Sequence, residues 1–439
     1  MPYQHGRRSR SKKVNNMSSS IRKTIQFAAV LVGLLVFLSL VGPERLYADK
    51  NKKKKDVAPE QTSIINRLDY SKIVWPNPPA ITRIKYLNYF CCDKYVPKAP
   101  GKKSSWMDRM AGGQTEEQKQ DDKPLFALWT PYGVVVDSKG TLYVADGKVG
   151  AVFMFNTETK DLTMIKHGTQ ARFGDIIGLA IDDSDRLFVS DTKMHRILVF
   201  DKNHKVEGTI GNGIVDPGGM VVDNENRFLY VADAALDQVL VYDADKLTLI
   251  RKIGTAGKGH TLTEPGQFSV PTNVALDKDQ NLYVSDTYNN RIEIFDADGN
   301  FIRAWGKNGD RPGTFARPKG IAVDVDGHVW VADAAQDRLQ CFTPEGDLLI
   351  WMGGHGELPG QFRTPAGLFI DKNNRIFTTE QYPGRVQMFL YIPDDEAKAE
   401  LARRQAEEEK KKSGGATKGT AASVPPPAAT NPPPDQKPQ

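Results

Sequence analysis

Cysteine is scarce. Only Cys91, Cys92 and Cys341 occur in 439 residues, and they form no C-x-x-C, no C-x-x-C-H and no Cys/His zinc spacing. Neither a thiolate metal site nor covalently attached haem is expected from that pattern. Long apolar runs are missing too. The uncharged stretch 27–41 (FAAVLVGLLVFLSLV) has 15 residues, short of the roughly 20 that a spanning helix needs. A basic body is the third absence. Residues 1–55 hold 13 Lys/Arg against 2 Asp/Glu, so the overall charge of +5 leaves the remainder at −6. A polyanion-binding body would carry the opposite excess.

The apolar stretch follows Arg22 and Lys23 and precedes Leu46-Tyr47-Ala48, a small-residue pattern. Residues 1–48 therefore read as a secretory signal peptide or, if uncleaved, a membrane anchor. Met17 is an alternative start. Residues 49–80 are expected to be a linker containing Lys52–Lys55, a solvated charge run or, beside an anchor, a contact with anionic lipid. At the other end, 392–412 reads as a charged helix without an apolar stripe. Residues 413–439, with two Pro-Pro-Pro runs, read as a Pro/Ala-rich tail unable to build a core.

Between the ends lies a repeat. Apolar strands end in Asp137, Asp182, Asp223, Asp277, Asp324 and Asp371, spaced by 45, 41, 54, 47 and 47 residues. A second strand ends 9 or 10 residues later at Asp146, Asp191, Asp233, Asp286, Asp333 and Glu380. Third strands start at Arg196, Gln238, Arg291, Arg338 and Arg385, and fourth strands such as 301–306 and 348–353 follow. Turns at Ser138-Lys139-Gly140, Asp298-Gly299 and Asp326-Gly327 favour tight hairpins. Gly-rich loops end in Phe-x-x-Pro at Phe268–Pro271, Phe315–Pro318 and Phe362–Pro365. Six copies of a four-stranded meander cannot bury both sheet faces singly but can in a ring, which predicts an all-β six-bladed propeller over 81–391. The sixth copy stops after its third strand near Tyr391, so 81–88 is expected to supply the missing strand and clasp the ring shut. Residues 90–124, with Cys91, Cys92 and Trp106, would be an excursion before the six repeats at 125–391. The adjacent cysteines are open to a bond with another chain, a bond with a remote partner, or life as two thiols. Cys341 shares the face of Leu339 and reads as a small buried apolar residue.

The run Asp286-Thr287-Tyr288-Asn289-Asn290-Arg291-Ile292, after LYVS and Phe-x-x-Pro, resembles the signature of NHL-repeat propellers, and the likeness recurs across 126–391. Ala151 and Gln238 stand where the pattern has Arg, and Glu380 where it has Asp. The resemblance implies the fold. It leaves function open, because the family spans interaction modules, RNA binders and a zinc-dependent lyase. Its lyase members carry histidines after the loop prolines, where this chain has Tyr132, Gly218, Thr272, Lys319 and Ala366. His195, His260 and His355 share the loop face, and His328 lies on the opposite one. Related lactonases use Glu, Asn and Asp near the channel, for which Asn273 and Asp175 are the candidates.

The repeated acids and Arg196, Arg291, Arg338 and Arg385 are expected to brace loops rather than catalyse. Function is expected on the varied loop face, at Lys193, His195, Tyr288, Asn289, Lys307, Arg311, Arg317, Lys319 and Tyr382. The first reading is an exported scaffold in the cell envelope, periplasmic or at the outer surface, binding a protein or peptide. The second is a metal-dependent lyase or lactonase-like enzyme, and the third is RNA binding, against which the acidic body argues. No catalytic residue, metal, cofactor, haem or nucleic acid is assigned.

Overall fold

The computed structural model describes residues 68–92, 126–168, 171–256 and 264–414. The 27–41 stretch, Lys52–Lys55, Trp106, His260 and the tail from 415 lie outside the described residues.

Six sheets of antiparallel strands form the body. Blade 4 is representative: Pro271–Leu276, Leu282–Asp286, Arg291–Phe295 and Phe301–Trp305 pair in sequence order. The innermost strands of successive blades pack side by side, and that of blade 6, Pro365–Ile370, meets that of blade 1, Pro131–Val136, which closes the ring. The second strands are almost wholly buried, as in Val329–Asp333, whereas the outermost strand Phe301–Trp305 is largely exposed. Burial is greatest in the second strands and falls off both at the outer edge and along the channel-lining first strands, and the core consists of apolar layers between neighbouring blades.

Local chemistry accounts for the meander. Each hairpin between first and second strands is held by its Asp: Asp277 Oδ1 accepts the backbone N–H of Asp279 and Asn281, both at 2.9 Å. Gly299 and Gly327 adopt φ of 90° and 85°, as tight turns need. The Phe of each Phe-x-x-Pro loop is fully buried. Gly306, at φ 111°, lies under Phe315, where a Cβ would come within 2.9 Å of the ring.

Closure occurs where the unfinished sixth copy requires it. Ile84–Phe90 pairs antiparallel with Arg385–Tyr391, completing blade 6. The strand starts three residues later and ends two later than the expected 81–88. Order also begins earlier than a linker over 49–80 implies: Val74–Trp75 adds a fifth strand to the sheet, and Tyr70 stacks edge-on against Tyr86 with centroids 5.0 Å apart. The helix Asp394–Gly414 returns to this clasp, with Ala397 buried, Lys85 Nζ 2.8 Å from Glu400 Oε2 and Arg404 donating to Thr82. No helix among the described residues is long and apolar enough to cross a membrane.

Candidate functional site

The acids that end the second strands hold the loops. Asp146 Oδ2 accepts from the backbone N–H of Trp129 and Thr130, Asp191 from Gly174 and Asp175, Asp233 from Val215 and Asp216, Asp286 from Ser269, and Asp333 from Ala316 and Arg317. Arg291 and Arg385 complete the brace at 2.8 and 2.7 Å from Asp286 and Glu380, and Arg196 stands 3.8 Å from Asp191. Arg338 departs from this pattern and lies over the Trp351 ring. The reason is local. Gln336 and Gln340 both donate to the Thr314 carbonyl, which corresponds to the Gln267 and Gln361 carbonyls that Arg291 and Arg385 take in blades 4 and 6.

The innermost strands begin alike: Pro131-Tyr132-Gly133, Ile176-Ile177-Gly178, Pro217-Gly218-Gly219, Pro271-Thr272-Asn273, Pro318-Lys319-Gly320 and Pro365-Ala366-Gly367. The third position is Gly because neighbouring backbones touch there; a Cβ on Gly367 would come within 1.9 Å of the Tyr132 carbonyl oxygen. Asn273 is the one exception, and its amide fills the space above Gly219. The second positions surround the axis. Tyr132 of blade 1 reaches across it, so that Asn273 Nδ2 of blade 4 donates to its hydroxyl at 3.4 Å. Burial pushes this phenol up to about 12.

Lys319 completes the cluster. It sits not in a loop, as expected, but as the second residue of the strand Pro318–Val323, with Nζ 5.2 Å from the centroid of the Tyr132 ring. Burial, and secondarily Arg317, lower its pKa to about 8. No ion pair to Lys319 occurs among the described residues. The channel mouth thus presents a largely desolvated ammonium beside a phenol and a carboxamide, a combination suited to an anion.

The other expected positions divide. Arg317 lies over Tyr288 at 5.8 Å and Arg363 over Tyr382 at 3.9 Å, while Tyr288, Tyr382 and Trp129 are 56%, 54% and 66% exposed. These form a rim of aromatic and cationic side chains. Lys193 and Met194 are exposed in the blade 2 loop. Asn289 and His195 serve the scaffold: Asn289 donates to Asp286 at 2.7 Å, and the His195 ring meets the Val215 carbonyl. Lys307 and Arg311 shape their loop through backbone carbonyls that accept from Phe315 and Thr314. His355 pairs with Asp337 at 2.7 Å, so it and His195 are committed to separate partners. Tyr132 was visible in the sequence as a residue after a loop proline, but nothing local marked it as spanning the axis.

Fold and site together define a six-bladed propeller with a plugged channel and a varied loop face. Residues 173–200 match the NHL repeat, and residues 256–352 match the SMP-30/Gluconolactonase/LRE-like region. The chain is an NHL-repeat β-propeller. It is 31% identical over 172 residues to peptidyl-glycine alpha-amidating monooxygenase B of Xenopus laevis, covering 32% of this chain and 19% of that protein. The A form from the same frog matches equally, over 18% of its length. The matched segment thus spans about a fifth of these relatives. Among solved structures, virginiamycin B lyase from Staphylococcus aureus has a TM-score of 0.45 at 14% identity, over 60% of this chain and 95% of the lyase. A Bacteroides thetaiotaomicron protein of unknown function reaches 0.49 at 17% identity, over 60% of this chain and 70% of that one.

Proposed function

We propose that the chain is an exported binding scaffold of the cell envelope, whose loop face takes a peptide or protein segment and whose channel mouth takes an anionic group on it. The observation that carries this reading is the ammonium of Lys319, half-buried beside Tyr132 with a pKa lowered to about 8. Burying a cation is costly unless a partner supplies the opposite charge. The exposed rings of Trp129, Tyr288 and Tyr382, two of them under guanidinium groups, offer the amphipathic area that peptide recognition favours. Export rests on the 27–41 stretch, which would leave the propeller free or tethered at the membrane.

The test is to pan a displayed random-peptide library against wild-type protein and Lys319→Met. Enriched peptides should carry a carboxylate and lose binding to the variant. Equal binding to both proteins would end this reading.

A second reading, a lyase- or lactonase-like enzyme, is favoured by the match over 256–352 and by a lysine tuned toward neutrality, the range of a general base. The residues at the mouth, Tyr132, Thr272, Asn273 and Lys319, are not a zinc donor set. A catalyst of this kind would work through Lys319 and Tyr132.

A further inference from the structure

We propose a metal site remote from the channel, formed by Asp324, His328 and Cys341 in blade 5, that takes a zinc-like divalent cation. One ligand atom from each lies within 4.8 Å of the other two. Asp324 and His328 flank the hairpin between the first two strands of the blade, and Cys341 comes from the third strand, where it pairs with Trp330. Carboxylate, imidazole and thiolate together are the donors of a borderline-soft divalent ion.

The internal repeat isolates what is unusual here. Four residues after the hairpin Asp, the other blades carry Thr141, Arg186, Arg227, Asn281 and Arg375; at the position of Cys341 they carry Met154, Val199, Val241, Ile294 and Met388. Blade 5 alone replaces both, and the sheet brings the two replacements to one carboxylate. Bracing a turn needs neither. Asn281 performs that task in blade 4 through a 2.9 Å bond to Asp277, and an apolar side chain fills the other position in every sister blade.

The geometry fits a tetrahedral ion. His328 Nδ1 stands 3.2 Å from Asp324 Oδ2, and two ligands at about 2.0–2.1 Å from a tetrahedral zinc are held roughly 3.3 Å apart. Outer partners are in place. Trp330 Nε1 donates to Asp324 Oδ2 at 2.9 Å, while Asp324 Oδ1 is held by the backbone N–H of Asp326 and His328. Such contacts orient a metal-binding carboxylate. His328 and Cys341 also line a groove of about 880 Å³ with Arg83, Trp75, Trp351 and Tyr391, which leaves a path for entry and a fourth position for water. Binding displaces the thiol proton to solvent, and the carboxylate and thiolate together neutralise the dication. The ion would tie the blade 5 hairpin to its third strand beside the clasp, since Tyr391 lies 3.2 Å from His328 Nδ1 and Arg83 donates to Tyr391.

The experiment uses untagged full-length protein, stripped with chelator, dialysed and titrated with cobalt(II). The probes are the near-ultraviolet thiolate-to-cobalt band and the visible bands of tetrahedral cobalt. Variants borrow residues of sister blades to preserve folding: Cys341→Val and His328→Asn, with Cys91→Ser/Cys92→Ser as control. One equivalent of cobalt should give the thiolate band in wild type and in the control, and zinc should displace it. Cys341→Val should abolish the band, and His328→Asn should weaken affinity by about tenfold or more. If Cys341→Val does not fold, the histidine variant decides. No band in wild type, a band that survives Cys341→Val, a band lost in the control, or unchanged affinity in His328→Asn would overturn the proposal.

Discussion

Tyr132 and Asn273, 141 residues apart and on opposite blades, meet at 3.4 Å over the axis of the ring. This contact narrows the channel mouth, and the Tyr132 ring beneath Lys319 Nζ covers part of the half-buried ammonium. Tyr132→Ala should therefore let the Lys319 pKa rise from about 8 toward its ordinary value. The pH dependence of acetylation at Lys319, read by mass spectrometry, measures this; an unmoved midpoint would show that the ring is not the cause.

Lys319→Met should stabilise the fold at neutral pH while removing the anion site. The folded pKa lies below the unfolded one, so the penalty for holding the charged form is present at pH 7 and is relieved as pH rises from about 8 through the ordinary lysine range. A urea midpoint at pH 7 that does not rise in the variant would contradict this.

Glu293 is buried in blade 4, where it accepts from the Gly266 N–H at 2.7 Å, and burial pushes its pKa up to about 7. Blades 5 and 6 place Gln340 and Gln387 there, making the same bond to Gly313 and Gly360. Between the unfolded value and about 7 the folded state binds a proton that the unfolded chain lacks. The contribution is thus complete at acid pH and lost as pH rises through about 7. Glu293→Gln should stabilise by about 2–3 kcal/mol at pH 8 and by much less at pH 5. Chemical denaturation at the two pH values checks both sign and trend.

Arg385 and Glu380 form a pair whose side chains are 5% and 0% exposed. Arg385→Ala leaves the carboxylate without its cation and should cost about 3–5 kcal/mol. Arg196→Ala should cost less, because Arg196 stands 3.8 Å from Asp191 and is 23% exposed. Comparing the two unfolding midpoints tests the ranking.

Tyr86 seats the clasp, packed edge-on to Phe389 with centroids 5.2 Å apart, yet its buried hydroxyl has no hydrogen-bond partner among the described residues. Tyr86→Phe should be neutral or stabilising, since it removes an unsatisfied polar group. Tyr86→Ala should cost about 3–5 kcal/mol through the cavity it leaves. A destabilising Tyr86→Phe would reveal a partner for the hydroxyl.

The sequence by itself determined the blades, their turns and the need for closure. Each of these follows from short-range rules: short apolar strands at a fixed repeat, an Asp that caps its own hairpin, glycines where φ is positive, and a sixth copy short of one strand. Even the bracing acids were legible, because Asp146 and its counterparts act on backbone within their own repeat. What only the tertiary structure decided, the clasp aside, is which side chains from different parts of the ring meet. Arg338 gave up its expected partner because two glutamines had already taken the neighbouring loop carbonyl. Lys319 turned from a presumed loop residue into a channel residue, and His328 and Cys341 met at Asp324 through strand register. Tyr132 reaches Asn273 only because the ring has six blades and is closed. The repeat count supplies the number of blades, but which side chains from opposite blades meet over the axis depends on how each projects into it, and no local pattern carries that.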